Sequence, residues 1–452
     1  MIWIELVIFL ACIVIGARLG GIALGAVAGI GLIIFVFVLG APPGGPPAAV
    51  LGMIIAVITA LATMQAAGGL DYLVLLAQRV LRRNPQNITF LAPLVTYVLV
   101  AACGTQHVVY ALLPVIAETA RSAKVRPERP LSISVIAAQH GLIASPISAV
   151  TVAMLGLLAP LGVSLPRILM VIVPSTLIAV MIGALSVAWR GKSLEEEEAT
   201  EAESASHGES GADTGKRPAS AALVELEGKA LTRARGATLL FLAGIVFVVL
   251  LGIFEELRPE YRLLVEGQQQ YDRVDMAAAI MIIMLGVAGL IMIFFKASPE
   301  AAMKGSIMKG GITAVISILG VAWLGSSFFE HNREFIVGGI SGMIDQQPWV
   351  YGLGLFTLSI MLFSQAATVV TLMPVAVAAG MSVSLLLGFY PAVNGLFVLP
   401  TYGTVLAAVS FDQTGTTRIG KYLLNHSFMI PGLVTTASAV VLAILISSII
   451  GL

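Results

Sequence analysis

Long apolar runs separated by short polar connections account for most of the chain. A helix needs about 20 consecutive apolar residues to cross a bilayer. Ten runs are long enough, and each predicts a transmembrane helix: 2–17, 20–40, 48–67, 131–158, 165–189, 237–254, 276–295, 310–328, 385–411 and 428–450. The runs are continuous and do not alternate between apolar and polar residues, so they predict helices and not the strands of an outer-membrane barrel.

Two further runs, 88–120 and 349–379, are too long for one simple span. Small or polar residues interrupt each run near its middle, around Gly104 in the first and around Ser364 in the second. Each run is therefore predicted to form a re-entrant hairpin, which enters the membrane and leaves it on the same side. The expected fold is an all-α polytopic membrane protein with about ten transmembrane helices and two hairpins.

The composition agrees with a membrane protein. Of the 452 residues, 58% are hydrophobic and 11% are charged, whereas a soluble protein has about 25% charged residues. This excludes a soluble enzyme, and the balance of 25 basic against 25 acidic residues excludes a nucleic-acid-binding protein. Cys12 and Cys103 lie in apolar runs and indicate neither disulfides nor a thiolate metal site. Residues 1–17 have no basic start and no cleavage site, so we expect a retained span and not a signal peptide.

Lysine and arginine are concentrated on the cytoplasmic loops of membrane proteins, and this bias indicates the orientation. With the N-terminus outside, twenty of the 25 basic residues fall on the cytoplasmic side. Both termini are then expected to be periplasmic. The polar insert at 190–236 has no apolar periodicity and contains four consecutive glutamates at 195–198, so it predicts a disordered cytoplasmic linker.

The halves on either side of this insert match element by element, which predicts two inverted repeats at 1–189 and 237–452. Each half has three spans, an amphipathic stretch (70–83 and 329–345), a hairpin, a proline-broken span and a final span. Five crossings per half is an odd number, so the second half must be upside down relative to the first. Inverted repeats with paired broken helices are typical of secondary transporters, whose substrate sites lie near the bilayer midplane.

A helix that is broken inside a membrane exposes backbone N–H and C=O groups that need partners. The N-terminal end of such a helix carries about half a positive charge and free N–H donors, so it can bind an anion. Two hairpin tips and two broken spans supply four such ends. The candidate substrate-binding residues beside them are Thr105, Gln106, Ser145, Ser148, Ser364, Gln365, Thr368, Thr401 and Thr404. Ordinary helix capping or contact between helices is the alternative role for the serines and threonines.

Other polar residues add candidates. His107 near the first tip and His140 in the first broken span are candidates for proton coupling, because histidine titrates near neutral pH; a satisfied buried histidine is the alternative. The segment 411–421 is rich in glycine and threonine but lacks the spacing of a phosphate-binding loop. Within it, Asp412 and Arg418 are candidates for an ion pair at the cytoplasmic mouth, and Arg418 is also a candidate substrate ligand.

Several segments together carry a family resemblance: 16–22 (GARLGGI), 64–72 (MQAAGGLDY), 81–85 (LRRNP), 113–118 (LPVIAE), 144–149 (ASPISA), 320–325 (GVAWLG), 363–368 (FSQAAT), 399–402 (LPTY) and 412–421 (DQTGTTRIGK). The chain resembles the anaerobic four-carbon dicarboxylate (Dcu) transporter family of bacteria over nearly its whole length, apart from the linker. The resemblance implies exchange or uptake of fumarate, succinate, malate and aspartate across the bacterial inner membrane. It also implies a hairpin-bearing transport domain that moves against a dimeric scaffold.

The first tip departs from the family pattern. The family tends to have Gly-Thr-Gly-Asn there, and this chain has Gly-Thr-Gln-His at 104–107. Gln106 needs more space than a glycine, which predicts a smaller substrate pocket. His107 is a candidate either for favouring a protonated monoanion or for coupling a proton.

The expected function is secondary active transport of C4-dicarboxylates by antiport, with alternating access of the elevator type. A carrier of another small anion, or a cation- or proton-coupled carrier on the same fold, is the alternative. A membrane-embedded enzyme is disfavoured because the chain has no HExxH motif and no paired DxxD motifs, and the paired hairpins argue against a simple pore. No cofactor or metal is expected, and the expected assembly is a homodimer formed through the scaffold in the lipid bilayer.

Overall fold

The computed structural model describes residues 2–19, 21–189, 226–265, 268–332, 347–400, 402–420 and 425–451, and most of them are helical. In chain order the α-helices are α1 (Ile2–Leu19), α2 (Ala23–Ile33, continued by a π-helical turn at Ile34–Val38), α3 (Ala48–Ala66), α4 (Gly69–Arg83), α5 (Ile88–Cys103), α6 (Val109–Ser122), α7 (Glu128–Ile143), α8 (Ala149–Leu158), α9 (Leu165–Ala188), α10 (Gly228–Ile253), α11 (Met276–Phe295), α12 (Pro299–Lys304), α13 (Ser306–His331), α14 (Trp349–Leu362), α15 (Gln365–Ala378), α16 (Val383–Phe389), α17 (Gly403–Phe411) and α18 (Met429–Ile449). Strands β1 (Glu260–Val265) and β2 (Gln268–Arg273) pair antiparallel between α10 and α11.

Seven helical segments among the described residues are long and apolar enough to cross a membrane, which confirms an all-α membrane protein. Six of them correspond to predicted spans and are α3, α9, α10, α11, α13 and α18. The seventh, Pro85–Cys103, is a 3₁₀ turn followed by α5, the first arm of the first predicted hairpin. The first two predicted spans form the shorter apolar helices α1 and α2.

Both proline-broken runs are interrupted near their prolines. The first run forms α7 and α8, with Ser145 and Pro146 between them, and the second forms α16 and α17, with Pro400 in the connection. Proline has no backbone N–H and clashes with the preceding turn, so a continuous helix through either position would be costly. Thr401, a predicted site residue next to Pro400, lies outside the described residues.

Each predicted hairpin consists of two helices joined by a tight tip. The first arm ends at a residue with left-handed backbone, Gly104 (φ +64°) in one hairpin and Phe363 (φ +48°) in the other. This conformation suits glycine but is strained for phenylalanine. Thr105 and Ser364 follow with extended backbone, and the hydroxyl of each accepts a backbone N–H two or three residues further on. The two tips therefore reverse the chain and begin the next helix in the same way.

The helices pack as two bundles. The first bundle contains α1–α3 and α10–α13, the second contains α5–α9 and α14–α18, and the amphipathic helix α4 contacts both. Within the second bundle, the second arm of each hairpin packs against the last helix of the other half's broken run, α6 against α17 and α15 against α8. The bundles meet where α15 contacts α13 and α8 contacts α3.

Glycines bring α2 and α13 into backbone contact within the first bundle. A Cβ atom added at Gly320 would lie 2.2 Å from the carbonyl oxygen of Gly25, and one at Gly25 would lie 2.0 Å from the carbonyl oxygen of Ile316. Small residues permit such close helix crossings in membranes. The indole of Trp323 also donates a hydrogen bond to the carbonyl oxygen of Gly44, at 2.5 Å. These contacts hold α13 against α2 and the connection that follows it.

Some elements differ from the predictions or lie beyond them. Helix α10 begins at Gly228, so the last nine residues of the predicted linker 190–236 are helical. The hydroxyl of Thr238 donates to the carbonyl oxygen of Gly69 at 3.0 Å, which joins α10 to α4. The β1–β2 pair was not predicted. The linker residues 190–225, and most of the second predicted amphipathic stretch, lie outside the described residues.

Candidate substrate-binding site between the hairpin tips

A cavity of about 180 Å³ lies where the two tips of the second bundle face α3 and α13 of the first. The tip residues 104–107 and 363–366 form one side. The opposite wall is apolar and is formed by Ile54, Val57, Ile58, Leu61, Ile307, Gly310, Gly311 and Ala314. None of the described residues that line the cavity is Asp, Glu, Lys or Arg. An anion bound here would therefore be held by neutral donors and backbone dipoles.

The N-terminal ends of four helices open into this cavity. Gln106 begins the 3₁₀ turn that leads into α6, and Ala149 is the first residue of α8. Gln365 is the first residue of α15, and Tyr402 immediately precedes α17. Helix starts have N–H groups without helical partners and a partial positive charge. The structure thus gathers the ends of both tips and both broken runs around one cavity.

Five of the predicted functional residues line the cavity, and they are Thr105, Gln106, His107, Ser364 and Gln365. Three others do not line the cavity, and their hydroxyls are hydrogen-bonded to nearby backbone groups. Ser148 Oγ accepts the N–H of the third residue beyond it at 3.2 Å, and Ser145 Oγ accepts the N–H of the second residue beyond it at 3.4 Å. The hydroxyl of Thr368 donates to the carbonyl oxygen of Ser364 at 2.8 Å. In this structure these three side chains stabilise helix ends and turns.

Two further candidates are buried away from the lining. Thr404 lies in the first turn of α17, and its hydroxyl has no hydrogen-bond partner among the described residues. His140 is fully enclosed in α7, with Nδ1 3.0 Å from the carbonyl oxygen of Ile136. The structure therefore separates the two candidate proton-coupling histidines, because His107 lines the cavity and His140 does not.

The predicted ion pair between Asp412 and Arg418 is absent from the described part of the chain. The buried carboxylate of Asp412 instead accepts hydrogen bonds from the hydroxyls of Thr414 at 2.5 Å and Thr416 at 2.8 Å. Thr416 Oγ1 also accepts the backbone N–H of Glu128 at 3.2 Å, which ties this turn to the start of α7. Arg418 is exposed and does not line the cavity. The carboxylate of Asp412 is hydrogen-bonded to these hydroxyls and not to Arg418, and the segment forms a turn after α17.

A chain of buried amides joins the two tips. Gln106 Nε2 donates to Gln365 Oε1 at 3.0 Å, and the Tyr402 hydroxyl donates to Gln106 Oε1 at 3.0 Å. Gln365 Nε2 in turn donates to the carbonyl oxygen of Gln139 at 2.9 Å and to Oδ1 of Asn394. The residues Gln106, Gln365 and Asn394 are all more than nine-tenths buried. Hydrogen bonds in so dry an environment are strong when complete and costly when broken.

The backbone fixes the polarity of this chain. The Gln139 carbonyl oxygen can only accept, so Gln365 must turn its Nε2 toward Gln139 and its Oε1 toward Gln106. Gln106 must then present its nitrogen to Gln365, which leaves its oxygen for Tyr402. Both side-chain N–H groups of Gln365 are engaged, so its side chain has no donor left for a carboxylate. Gln106 keeps one free N–H.

Thr105 positions the imidazole of His107. The Thr105 hydroxyl accepts the backbone N–H of His107 at 3.3 Å and lies 2.9 Å from Nδ1. The hydroxyl has one hydrogen to donate, and donating it to Nδ1 leaves the proton of a neutral imidazole on Nε2. The ring faces α13, where a Cβ added at Gly310 would lie 3.2 Å from Cε1. Gly310 therefore provides the space for this ring.

Sequence reasoning missed the aromatic part of the site. Phe363 and Tyr402 both line the cavity, and their rings stack with centroids 6.1 Å apart and planes at 4°. Tyr402 belongs to the LPTY segment beside the second break, so its position was a usable signal. The apolar wall from α3 and α13 has no such signal, because nothing in these helices marks the face toward the tips. Across the described ranges, no three His, Cys, Asp or Glu side chains gather as metal ligands would.

Helix starts that converge on an internal cavity of a multi-pass helical bundle are typical of a membrane transporter. The chain belongs to the family of anaerobic C4-dicarboxylate membrane transporters, which it matches over residues 1–451. It is therefore a membrane transporter and not an enzyme, and the family resemblance of its motifs is confirmed.

Similar proteins are named as transporters of the same kind. The chain is 40% identical over 453 residues to the C4-dicarboxylate transporter DcuA of Wolinella succinogenes, covering 99% of this chain and 100% of that protein. It is 40% identical over 452 residues to DcuA of Escherichia coli strain K12, covering 99% of each. It is 38% identical over 447 residues to the anaerobic C4-dicarboxylate transporter DcuB of Escherichia coli O157:H7, covering 95% of each.

A change of Gln365 to glutamate tests the assigned polarity of the amide chain. Gln365 Nε2 donates to the carbonyl oxygen of Gln139 and to Oδ1 of Asn394. Gln365→Glu puts an oxygen, which cannot donate, in place of this nitrogen. We expect a loss of about 3 kcal/mol or more in stability, because a buried acceptor left unpaired costs about 1–3 kcal/mol. Thermal unfolding of the purified protein in detergent measures the change, with the exposed Gln86→Glu as the matched control. Equal melting temperatures for the two variants would contradict the assignment.

Proposed function

We propose that this transporter exchanges C4-dicarboxylates, namely fumarate, succinate, malate and aspartate, across a bacterial inner membrane. The observation that carries the proposal is the convergence of four helix N-termini on one cavity, whose described lining has no Lys, Arg, Asp or Glu. Such a site favours small anions, and two facing tips suit a molecule with a carboxylate at each end. Membership of the family and the names of its relatives support this substrate class.

Each tip offers donors for a carboxylate. The Ser364 hydroxyl oxygen accepts a backbone N–H at 3.2 Å, so its own hydrogen can point into the cavity. The backbone N–H groups of Gln365 and Ala366 lie in the first turn of α15 and have no helical partners. On the first tip, Gln106 has its second amide N–H. Negative charge at each helix start gains about 0.3–1 kcal/mol, and more where the site is partly buried.

Alternating access of the elevator type, with two inverted repeats and two re-entrant hairpins, belongs to the same proposal. The crossed packing of α6 on α17 and of α15 on α8 supports the repeat, because each hairpin meets the broken run of the other half. The position of the cavity between the bundles supports movement of the second bundle against the first, which would carry the site past the apolar wall. The homodimer through the scaffold and the periplasmic location of both termini stay predictions.

Counterflow into proteoliposomes tests the proposed substrate class. Vesicles loaded with unlabelled succinate should take up labelled fumarate faster than empty vesicles. The reason is that the binding site, after releasing fumarate inside, binds internal succinate and returns with it to the outer side. Vesicles loaded with phosphate or sulfate serve as the control and test the alternative of another small anion. The same test is made with fumarate, malate and aspartate inside the vesicles. If none of the four dicarboxylates accelerates the uptake of labelled fumarate, the proposed substrate class is wrong.

A comparison of two helix-capping serines distinguishes a role in substrate binding from a role in capping alone. Ser364 caps α15 inside the cavity, whereas Ser382 caps α16 at an exposed position outside it. Both alanine variants lose a cap worth about 1 kcal/mol. Ser364→Ala should also raise the KM for fumarate by roughly tenfold or more, since a hydrogen bond to a charged group is worth about 1.5–3 kcal/mol. Equal KM values for Ser364→Ala and Ser382→Ala would remove Ser364 from the site.

Proton coupling through His107 is a second candidate function. His107 and Tyr402 are the titratable side chains in the described lining, and the ring of Tyr110 has its centroid 6.3 Å from that of His107. A protonated His107 would place a positive charge opposite a dianion. A proton would then accompany the substrate through an interior where unpaired charge is costly.

The pH dependence of transport tests this second candidate. Between pH 8 and pH 6 the carboxyl groups of fumarate, with ordinary pKa values near 4, stay ionised. Protonation of His107 should therefore lower the KM for fumarate as the pH falls, by roughly tenfold for a gain of about 1.4 kcal/mol. His107→Asn should flatten this profile, and His331→Asn at the end of α13 should not. The same pH dependence in both variants would contradict a role for His107.

A further inference from the structure

Gln106 is the side chain on which three parts of the site meet. Its amide connects the first tip to Gln365 of the second tip, at 3.0 Å, and to Tyr402 at the start of α17, also at 3.0 Å. The residue is 6% exposed, so little of its side chain is open to solvent. The link between the tips is therefore direct and involves no backbone of either tip.

The far side of this link is anchored as well. Gln365 donates to the carbonyl oxygen of Gln139 and to Asn394, and Asn394 Nδ2 donates to the carbonyl oxygen of Pro391 at 3.0 Å. A proline carbonyl can only accept, so it fixes Asn394 in the orientation that Gln365 requires. The Gln365 side of the amide chain thus ends on backbone oxygens of α7 and of the segment after α16, and its other end is the hydroxyl of Tyr402. Gln365 has no freedom to follow the first tip if that tip moves away.

The length of the Gln106 side chain therefore sets the spacing between the tips. Wider separation would break its bond to Gln365 and leave a buried donor and a buried acceptor unpaired, which is unfavourable. The same side chain also occupies space at the edge of a cavity of about 180 Å³. The link to Gln365 and the volume of the side chain both disfavour binding of a substrate whose carboxylates are far apart.

We propose that Gln106 is a specificity-determining spacer that limits the length of the diacid the site accepts. The proposal rests on the proposed function, because it requires a carboxylate at each tip. A shorter residue at position 106 would remove both the link and the volume of the amide, and longer diacids would then fit between the tips.

A series of straight-chain diacids tests the spacer. Malonate, succinate, glutarate and adipate are compared as inhibitors of labelled fumarate counterflow by the wild-type protein and by Gln106→Gly. We expect the ratio of the glutarate to the succinate inhibition constant to fall at least tenfold in Gln106→Gly. The exposed Gln86→Gly is the matched control and should keep the wild-type ratio. The ratio is the informative quantity, because a purely structural role for Gln106 would weaken all diacids together.

Two additions keep the test decisive. Gln106→Asn keeps the amide but is one methylene too short to reach both partners, and it should lower the same ratio by a smaller factor. The ratio is also measured from the rise in melting temperature that each diacid causes, which requires a folded protein but no transport. An unchanged ratio in both Gln106 variants would overturn the spacer. No fumarate counterflow and no thermal stabilisation in the wild-type protein would instead overturn the proposed function.

Discussion

The need of every backbone N–H and C=O group for a partner inside an apolar bundle governs the rest of this structure. The chain breaks its helices at four places in the second bundle, and each break leaves N–H groups that the helix cannot use. Thr105, Ser364 and Ser148 each satisfy one of them with a side-chain oxygen. The helix starts that remain open face one cavity. The candidate site is therefore formed by the backbone N–H groups that side-chain capping leaves without a partner. The same helix breaks that create these groups also create the site.

A site made this way needs no charged residue, but it needs its neutral groups to point in defined directions. The amide chain meets this need, since the carbonyl oxygens of Gln139 and Pro391 fix the orientations of Gln365 and Asn394, and Gln365 in turn fixes that of Gln106. The low charge of the chain, 11% of its residues, fits such a design. His107 is the one basic side chain in the described lining, which otherwise consists of neutral side chains and helix starts.

The segments that carry the family resemblance serve the fold as often as the site. In the DQTGTTR segment, Asp412 organises a turn that binds the start of α7 through Thr416. In the GVAWLG segment, Gly320 permits the crossing with α2, and Trp323 holds the connection to α3. Family membership establishes that the chain is a membrane transporter. Gln106 and His107, in contrast, line the cavity itself.

The sequence alone determined the membrane class, most of the helices, both tips and both breaks, because apolar run length, proline and glycine act locally. It also placed Thr105, Gln106, His107, Ser364 and Gln365 at the tips. It could not determine which polar groups face the cavity, since their partners are distant in the chain; Gln106 and Gln365 are 259 residues apart. Only the tertiary structure showed that the donors of Gln365 are engaged, that His140 is enclosed, that α10 begins early and that α3 and α13 form the facing wall. These features depend on which helices pack together, and packing is decided by the whole chain at once.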